Sequence, residues 1–290
     1  MLQAISPKHD AHHERRRKNS LASLTTSLRD EKKHLLLAAS GSVATIKLPM
    51  IIDALAKRHA HRNSSKELSI RVLLTPSATR FLAGQSREQP PVSSLLSMPC
   101  VDGVYVDADE WREPWKRGDA ILHIELRRWA DLLVIAPLSA NTMAKIVGGF
   151  ADGILTSVVR AWDAWGELDS DVASPNGGRL STNGSAGRKQ KKHIIVAPAM
   201  NTAMWRHPVT AKSLRVLEEE WGVNRSSKKA AKAAPEDEGQ TGHNTEDIEG
   251  WFEVLKPQSK TLACGDVGDG AMMEWGDIVA VIEDRLDLKD

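Results

Sequence analysis

The sequence predicts an α/β fold built on a mostly parallel β-sheet. Three observations predict it. Short continuous apolar runs recur, namely His34-Leu-Leu-Leu-Ala-Ala-Ser40, Leu68-Ser-Ile-Arg-Val-Leu-Leu74, Asp131-Leu-Leu-Val-Ile-Ala-Pro137 and His193-Ile-Ile-Val-Ala-Pro198. Continuous rather than alternating runs suit strands buried on both faces, as in a parallel sheet. Stretches with helical spacing separate them, and strand–helix–strand alternation supplies the crossovers that parallel pairing needs. Small and hydroxyl-bearing residues follow each run, at the carboxyl edge where ligands of such sheets collect.

Each element follows in order. Residues 1–30 are rich in His, Arg, Ser and Thr without a sustained period, so a disordered tail is expected there, followed by one domain over 31–290. Gly41 and Ser42 end the first strand, and Ile46, Met50, Ile51 and Leu55 carry a helix to about Arg58. After the strand ending at Leu74, Pro76-Ser77 opens a short helix to Leu82, and Val104 to Val106 is a third strand. A helix from Ile121 to Trp129 leads into the strand from Asp131. Helices are expected over Ser139 to Val147, Ile154 to Trp165 and Val209 to Trp221. A last short strand near Thr261 to Ala263 precedes a helix from about Trp275 to Leu286. Gly166 to Lys192 and Asn224 to Gly250 are polar and cannot bury enough apolar surface to offset their ordering entropy, so mobile insertions are expected there. No internal repeat is present.

Composition narrows the function. The chain has 290 residues and 41% hydrophobic content, enough for a full core. Its 39 basic and 38 acidic side chains balance, giving no global pull toward nucleic acid or an anionic membrane. No apolar run approaches the ~20 residues that span a bilayer. The N-terminus lacks the apolar core of a secretory signal, and Asp10 and Glu14 speak against a mitochondrial transit segment. The basic cluster Glu14-Arg-Arg-Arg-Lys18 reads as a solvated tail, with a nuclear signal as the alternative. Cys100 and Cys264 are the only cysteines, so a reducing compartment and a cytoplasmic protein are expected.

Four clusters sit directly after strands. Ser40-Gly41-Ser42 allows close backbone approach and offers hydroxyls and helix N-terminal amides to a phosphate. Alone it reads first as ordinary helix capping, and it is not the G-x-G-x-x-G fingerprint. Thr75-Pro76-Ser77-Ala78-Thr79 and Ala136-Pro-Leu-Ser-Ala-Asn-Thr142 are similar hydroxyl-rich turns. Three such turns in one sheet favour a shared anionic ligand over three independent caps. Asn201, in Ala197-Pro-Ala-Met-Asn201, offers donors and an acceptor at a pocket rim, or serves as a turn residue. His123 is the natural proton handler at neutral pH, against the alternative of a structural histidine. Cys264 lies in the glycine-rich Leu262-Ala-Cys-Gly-Asp-Val-Gly-Asp-Gly-Ala-Met-Met-Glu274, where a mostly protonated thiol suits a proton donor, or packs as a small apolar residue. No His/Cys/carboxylate spacing indicates a metal site.

Taken together these pieces resemble the phosphopantothenoylcysteine decarboxylases, within the homo-oligomeric flavin-containing Cys decarboxylase family, and most of all a fungal-type member. The match runs through Gly41-Ser-Val-Ala44, Thr75 to Phe81, Leu122-His-Ile-Glu-Leu-Arg-Arg-Trp-Ala130, Ala136 to Thr142, Arg160-Ala-Trp162, Ala197 to Thr202 with Met204-Trp205, and the Cys264 loop, in the family's order. It spans about residues 33–284 apart from the two insertions. The resemblance implies a Rossmann-like (flavodoxin-like) three-layer sandwich, assembled as a homotrimer or as a heterotrimer with a paralogue, with FMN near a subunit interface. It implies that Gly41, Ser42, Val43, Ser77, Ser139, Ala140, Asn141, Thr142 and Ala199 surround the flavin. His123 corresponds to the catalytic histidine and Asn201 to the contact for the substrate carboxylate. Thr261, Leu262 and Ala263 would contact substrate backbone, with Cys264 as the acid on a closing lid. Thr261 stands where many relatives carry a basic residue, and Val267 replaces a common aromatic.

The implied activity is FMN-dependent decarboxylation of 4'-phosphopantothenoylcysteine to 4'-phosphopantetheine, a step toward coenzyme A. Transient oxidation of the thiol-bearing carbon to a thioaldehyde creates an electron sink, CO2 leaves an enethiol, and the returning hydride with a proton from Cys264 completes the product. Two other roles are known among relatives. One is inhibition of a type 1 protein phosphatase, accompanied by a long acidic C-terminal tail that is not expected after Glu283-Asp-Arg-Leu-Asp-Leu-Lys-Asp290. The other is decarboxylation of a peptide's C-terminal cysteine.

Overall fold

The apolar runs become the centre of one sheet. The structure is a computed structural model that describes residues 20–61, 67–166, 168, 191–223, 250–261 and 267–288. Strands β1 (Lys33–Ala39), β2 (Leu68–Leu74), β3 (Val101–Val106), β4 (Leu132–Leu138), β5 (His193–Pro198) and β6 (Phe252–Val254) lie in the order β3-β2-β1-β4-β5-β6. Every neighbouring pair is parallel. All residues of β2 and β4 are buried, as strands covered on both faces must be. The order reverses between β1 and β4, which makes the crevice there the ligand-binding position of a doubly wound sheet. The expected three-layer, Rossmann-like sandwich is borne out.

Side-chain alternation splits the core into two layers. Leu35, Leu37, Ile70, Val72, Val134 and Ile195 face α2 (Leu48–His61) and the C-terminal helix. Leu36, Ala38, Leu73, Leu133, Ile135 and Ile194 face the opposite layer. That layer holds α1 (Leu21–Thr26), α5 (Leu122–Trp129), α6 (Ala140–Val147) and α7 (Ile154–Arg160). Between these come the short helices α3 (Pro76–Thr79) and α4 (Val92–Leu95), then α8 (Thr202–Trp205) and α9 (Pro208–Arg215), which runs on through one wide turn over Val216–Glu220. The last helix, α10, spans Trp275–Arg285.

Four expectations need correction. The tail does not extend to residue 30, because α1 is capped by Ser20 Oγ and buries Leu24 completely. Six residues are too few to show a period, and one leucine carries the burial. Arg71, itself buried in β2, donates to Ser27 Oγ at 3.2 Å and ties this segment to the sheet. The helix expected to reach Trp165 ends at Arg160, because Asp163 accepts from the amides of Gly166 (2.9 Å) and Leu168 (2.8 Å) and holds a turn instead. Strand β6 was not expected at all. The single strand near Thr261 is one arm of an antiparallel hairpin, β7 (Gln258–Thr261) with β8 (Val267–Ala271). Residues 1–19 and nearly all of the two expected insertions lie outside the described residues.

Candidate active site

The floor of the site is a knot between the ends of β1 and β4. The buried Ser40 hydroxyl donates to the Pro137 carbonyl at 3.0 Å and accepts from the Ser139 amide at 2.7 Å. Thr45 Oγ1 donates to the Ser40 carbonyl at 3.1 Å. The two loops that flank the reversal point of the sheet are thereby locked together.

Above this floor lies a cavity of about 610 Å3, a size typical of cofactor sites. Four strand ends feed it. Gly41, Ser42 and Val43 enter after β1, Ser77 after β2, Ser139, Ala140 and Asn141 after β4, and Ala199 and Asn201 after β5. Every expected flavin contact except Thr142 therefore lines one cavity. Thr142 stands behind the wall, buried, where its hydroxyl accepts from Ser139 Oγ at 3.2 Å.

The capping reading and the ligand reading of these turns both hold. Ser42 Oγ accepts from the Ala44 amide (3.4 Å), Thr75 Oγ1 from Ala78 (3.3 Å), Ser139 Oγ from Thr142 (3.3 Å) and Asn201 Oδ1 from Met204 (2.9 Å). Each cap fixes its own turn, and together the turns face one space. With Oδ1 engaged in the cap, the Asn201 amide nitrogen is the group it offers to a ligand.

The opposite wall is apolar. Met200 and Met204 come from the segment after β5, Met272 and Met273 from the segment between β8 and α10, and Trp275 from the start of α10. Thioether side chains shape themselves to a flat aromatic surface. Sequence reasoning missed this wall, along with Phe81, Lys47 and Glu274. The signal was present: Met200 and Met204 flank Asn201, and Met272-Met273 closes the glycine-rich loop. Two glycines bring the hairpin this close. A Cβ on Gly268 would lie 2.0 Å from Thr202 Oγ1, and one on Gly270 2.6 Å from the Met200 carbonyl. The Met200 amide donates to the Gly270 carbonyl at 2.9 Å.

The catalytic set expected from the resemblance is only partly gathered. Asn201 is in the cavity, whereas His123 is not among its lining residues. His123 sits on α5, its Nδ1 2.7 Å from Glu110 Oε1. Thr261 ends β7, while Leu262, Ala263 and Cys264 lie outside the described residues. Among the described residues no cluster of three or more His, Cys, Asp or Glu could hold a metal ion, and no helix is long and apolar enough to cross a membrane.

The cavity fits a large ligand with an anionic group, since hydroxyl-bearing turns line one side of it and Gly41 lets two of them approach each other. A Cβ on Gly41 would come within 2.4 Å of Ser77 Oγ, so only glycine keeps this corner open. The family model described as Flavoprotein matches residues 23–287. The chain belongs to the flavoprotein family. Its relatives include the phosphopantothenoylcysteine decarboxylase of Arabidopsis thaliana, 36% identical over 243 residues, which cover 84% of this chain and 80% of that one. Two longer fungal proteins also match. The probable thymidylate synthase of Schizosaccharomyces pombe is 35% identical over 90% of this chain, and coenzyme A biosynthesis protein 3 of Saccharomyces cerevisiae is 33% identical over 89%. The chain spans about a third of the length of each, 31% and 34%. Among solved structures, a Cys-to-Ser variant of PPC decarboxylase complexed with pantothenoylaminoethenethiol superposes with a TM-score of 0.54 at 34% identity, covering 87% of this chain and 97% of that one. The FMN binding protein AtHal3 does so with 0.53 at 34% identity, covering 89% and 99%.

Proposed function

We propose that this chain binds FMN in the cavity and decarboxylates 4'-phosphopantothenoylcysteine to 4'-phosphopantetheine in the cytoplasm. The observation that carries this reading is the convergence of four capped turns on one cavity at the sheet's reversal point, in a member of the flavoprotein family. The relatives' names supply the substrate.

When bound, FMN supplies a two-electron acceptor beside the thiol-bearing carbon, which makes that carbon an electron sink for the departing CO2. The chain supplies the rest. The hydroxyls of Ser42, Ser77 and Ser139, with the backbone amides of their turns, hold the anionic group. The methionine wall excludes water from the reduced state. The Asn201 amide nitrogen holds the substrate carboxylate in line for cleavage. His123 takes the thiol proton, and Cys264 returns a proton to the product carbon. Thr261, Leu262 and Ala263 contact the substrate backbone.

Since His123 does not line the cavity of its own chain, we place the complete site between copies. The half-exposed Val43 and Met204 at the cavity (45% and 52% exposed) are apolar surface that such an interface would cover. The assembly proposed is a homotrimer, with a heterotrimer containing a paralogue as the other outcome of a mass measurement.

The test is release of CO2 from phosphopantothenoylcysteine by the purified, FMN-loaded protein. Cys264→Ser should allow flavin reduction and decarboxylation but block the final reduction; turnover at the parent rate removes Cys264 as the acid. His123→Asn should abolish flavin reduction by substrate, and an undiminished rate removes His123.

A further inference from the structure

A carboxylate with no part in the mechanism above stands directly behind His123. Glu110 Oε1 lies 2.7 Å from His123 Nδ1. The Glu110 side chain is 5% exposed and that of His123 21%. Glu110 Oε2 is buried without a hydrogen-bond partner among the described residues. Among the described residues the imidazole is therefore the carboxylate's one hydrogen-bond partner.

The segment that carries Glu110 is pinned by its two acidic neighbours. Asp107 Oδ1 accepts from the Ile154 amide at 3.2 Å and anchors the turn to the start of α7. Asp109 Oδ2 accepts from the Val106 amide at 2.9 Å, and the other oxygen of that carboxylate pairs with Arg112. The Glu110 amide donates to the Asp107 carbonyl at 3.2 Å. Three carboxylates thus have three separate tasks, and only Glu110 reaches the histidine.

An ionised carboxylate can only accept a hydrogen bond. A 2.7 Å contact to Nδ1 therefore assigns the proton of a neutral imidazole to Nδ1 and leaves the lone pair on Nε2. His123 makes no other hydrogen bond among the described residues. We infer that Glu110 is a positioning residue: it holds His123 in the Nδ1–H tautomer, so that Nε2 accepts the substrate thiol proton, and it stays paired with the imidazolium that results. The proton leaves sulfur and stops on Nε2. An Asp–His pair in a hydrolytic triad works by the same logic. This inference rests on the proposed role of His123 as proton acceptor.

Ring-nitrogen NMR on the 15N-histidine-labelled full chain, with and without FMN, tests the inference apart from turnover. The His123 signals are identified by their loss in His123→Asn. The parent should show the Nδ1–H tautomer. Glu110→Ala should populate the Nε2–H tautomer. Glu110→Gln, which keeps the length but loses the charge, should lie between. In stopped-flow flavin reduction by substrate, Glu110→Ala should slow the maximal rate about 10-fold or more, with half-saturation unchanged within about twofold and Glu110→Gln partly rescuing. An Nε2–H parent, or a Glu110→Ala tautomer ratio equal to the parent's, overturns the inference, and so does a Gln variant as impaired as Ala. If Glu110→Ala does not fold, the Gln variant alone decides, since a parent-like rate and tautomer with the charge gone contradict a carboxylate role. Failure of the parent reading looks different: His123→Asn would reduce flavin normally while the tautomer pattern stood.

Discussion

Gly41→Ala tests whether the corner between the first and second strand ends is a binding surface. The added Cβ would lie 2.4 Å from Ser77 Oγ and 2.6 Å from Ser77 Cβ, with the next neighbour, the Ser77 carbonyl carbon, at 3.7 Å. Both close contacts fall roughly 1 Å short of normal van der Waals separation. Gly41 is not at positive φ, so alanine suffers no backbone penalty there and the cost is steric alone. Rotating the exposed Ser77 moves Oγ but leaves the Cβ contact at 2.6 Å, so the two strand ends must part slightly whether or not the cavity is filled. FMN packed against this corner resists that shift, so an overpacking cost of about 1–3 kcal/mol falls on binding and weakens FMN affinity roughly 5- to 150-fold. Fluorescence titration of apoprotein with FMN measures this, and a melting curve without FMN checks that the fold is intact. A second substitution locates the clash. Ser77→Ala leaves the 2.6 Å contact, whereas Ser77→Gly removes both. Gly41→Ala/Ser77→Gly should bind FMN about as tightly as Ser77→Gly alone, which lacks the clash but also the Ser77 hydroxyl. Unchanged affinity in Gly41→Ala, or equal rescue by both partners, would refute the steric account.

Three further outcomes are expected. Ser40→Ala removes the buried acceptor of the Ser139 amide and should cost about 1–3 kcal/mol in urea unfolding, together with weaker FMN binding; a change below about 0.5 kcal/mol would show that the knot is not structural. Leu24→Ala should destabilise the protein by about 2–5 kcal/mol, because Leu24 is fully buried under α5, and a neutral result would return residues 20–29 to the tail. Burial holds the Asp107 carboxyl above its ordinary value, although the Ile154 amide opposes the shift. A raised acid pKa means that the charged form is disfavoured by folding, so the penalty is absent below the unfolded value and fully present above the folded one. Asp107→Asn, which keeps the cap to Ile154, should therefore match or exceed the parent in stability at pH 7 and lose that margin on acidification; a large loss at pH 7 would contradict this.

The parts of the fold legible in the sequence are those whose signal is local. β1, β2, β4 and β5 are continuous apolar runs, and their ends are visible as Gly, Pro and hydroxyl residues. β6 is three residues long with one sheet neighbour, so no run announces it. β8 carries Gly268 and Gly270, which read as loop, yet both are glycine because another segment's atoms fill the Cβ space. The site was legible as a set of turns, since each cap is a short-range hydrogen bond. Whether the turns share a space is a matter of strand order, which local pattern does not encode. The same limit explains His123: its place in the motif series is clear, but sequence order does not say whether it lines the cavity of its own chain. The Glu110 contact spans 13 residues across a loop with no periodic signal.

The most direct test of the whole reading is the visible absorbance spectrum of the FMN-treated protein, recorded without oxygen before and after adding phosphopantothenoylcysteine. A bound flavin band that bleaches on mixing is the expected result. Protein that stays colourless after equilibration with excess FMN would contradict the cavity's assignment, and a bound band that substrate leaves unchanged would contradict the chemistry.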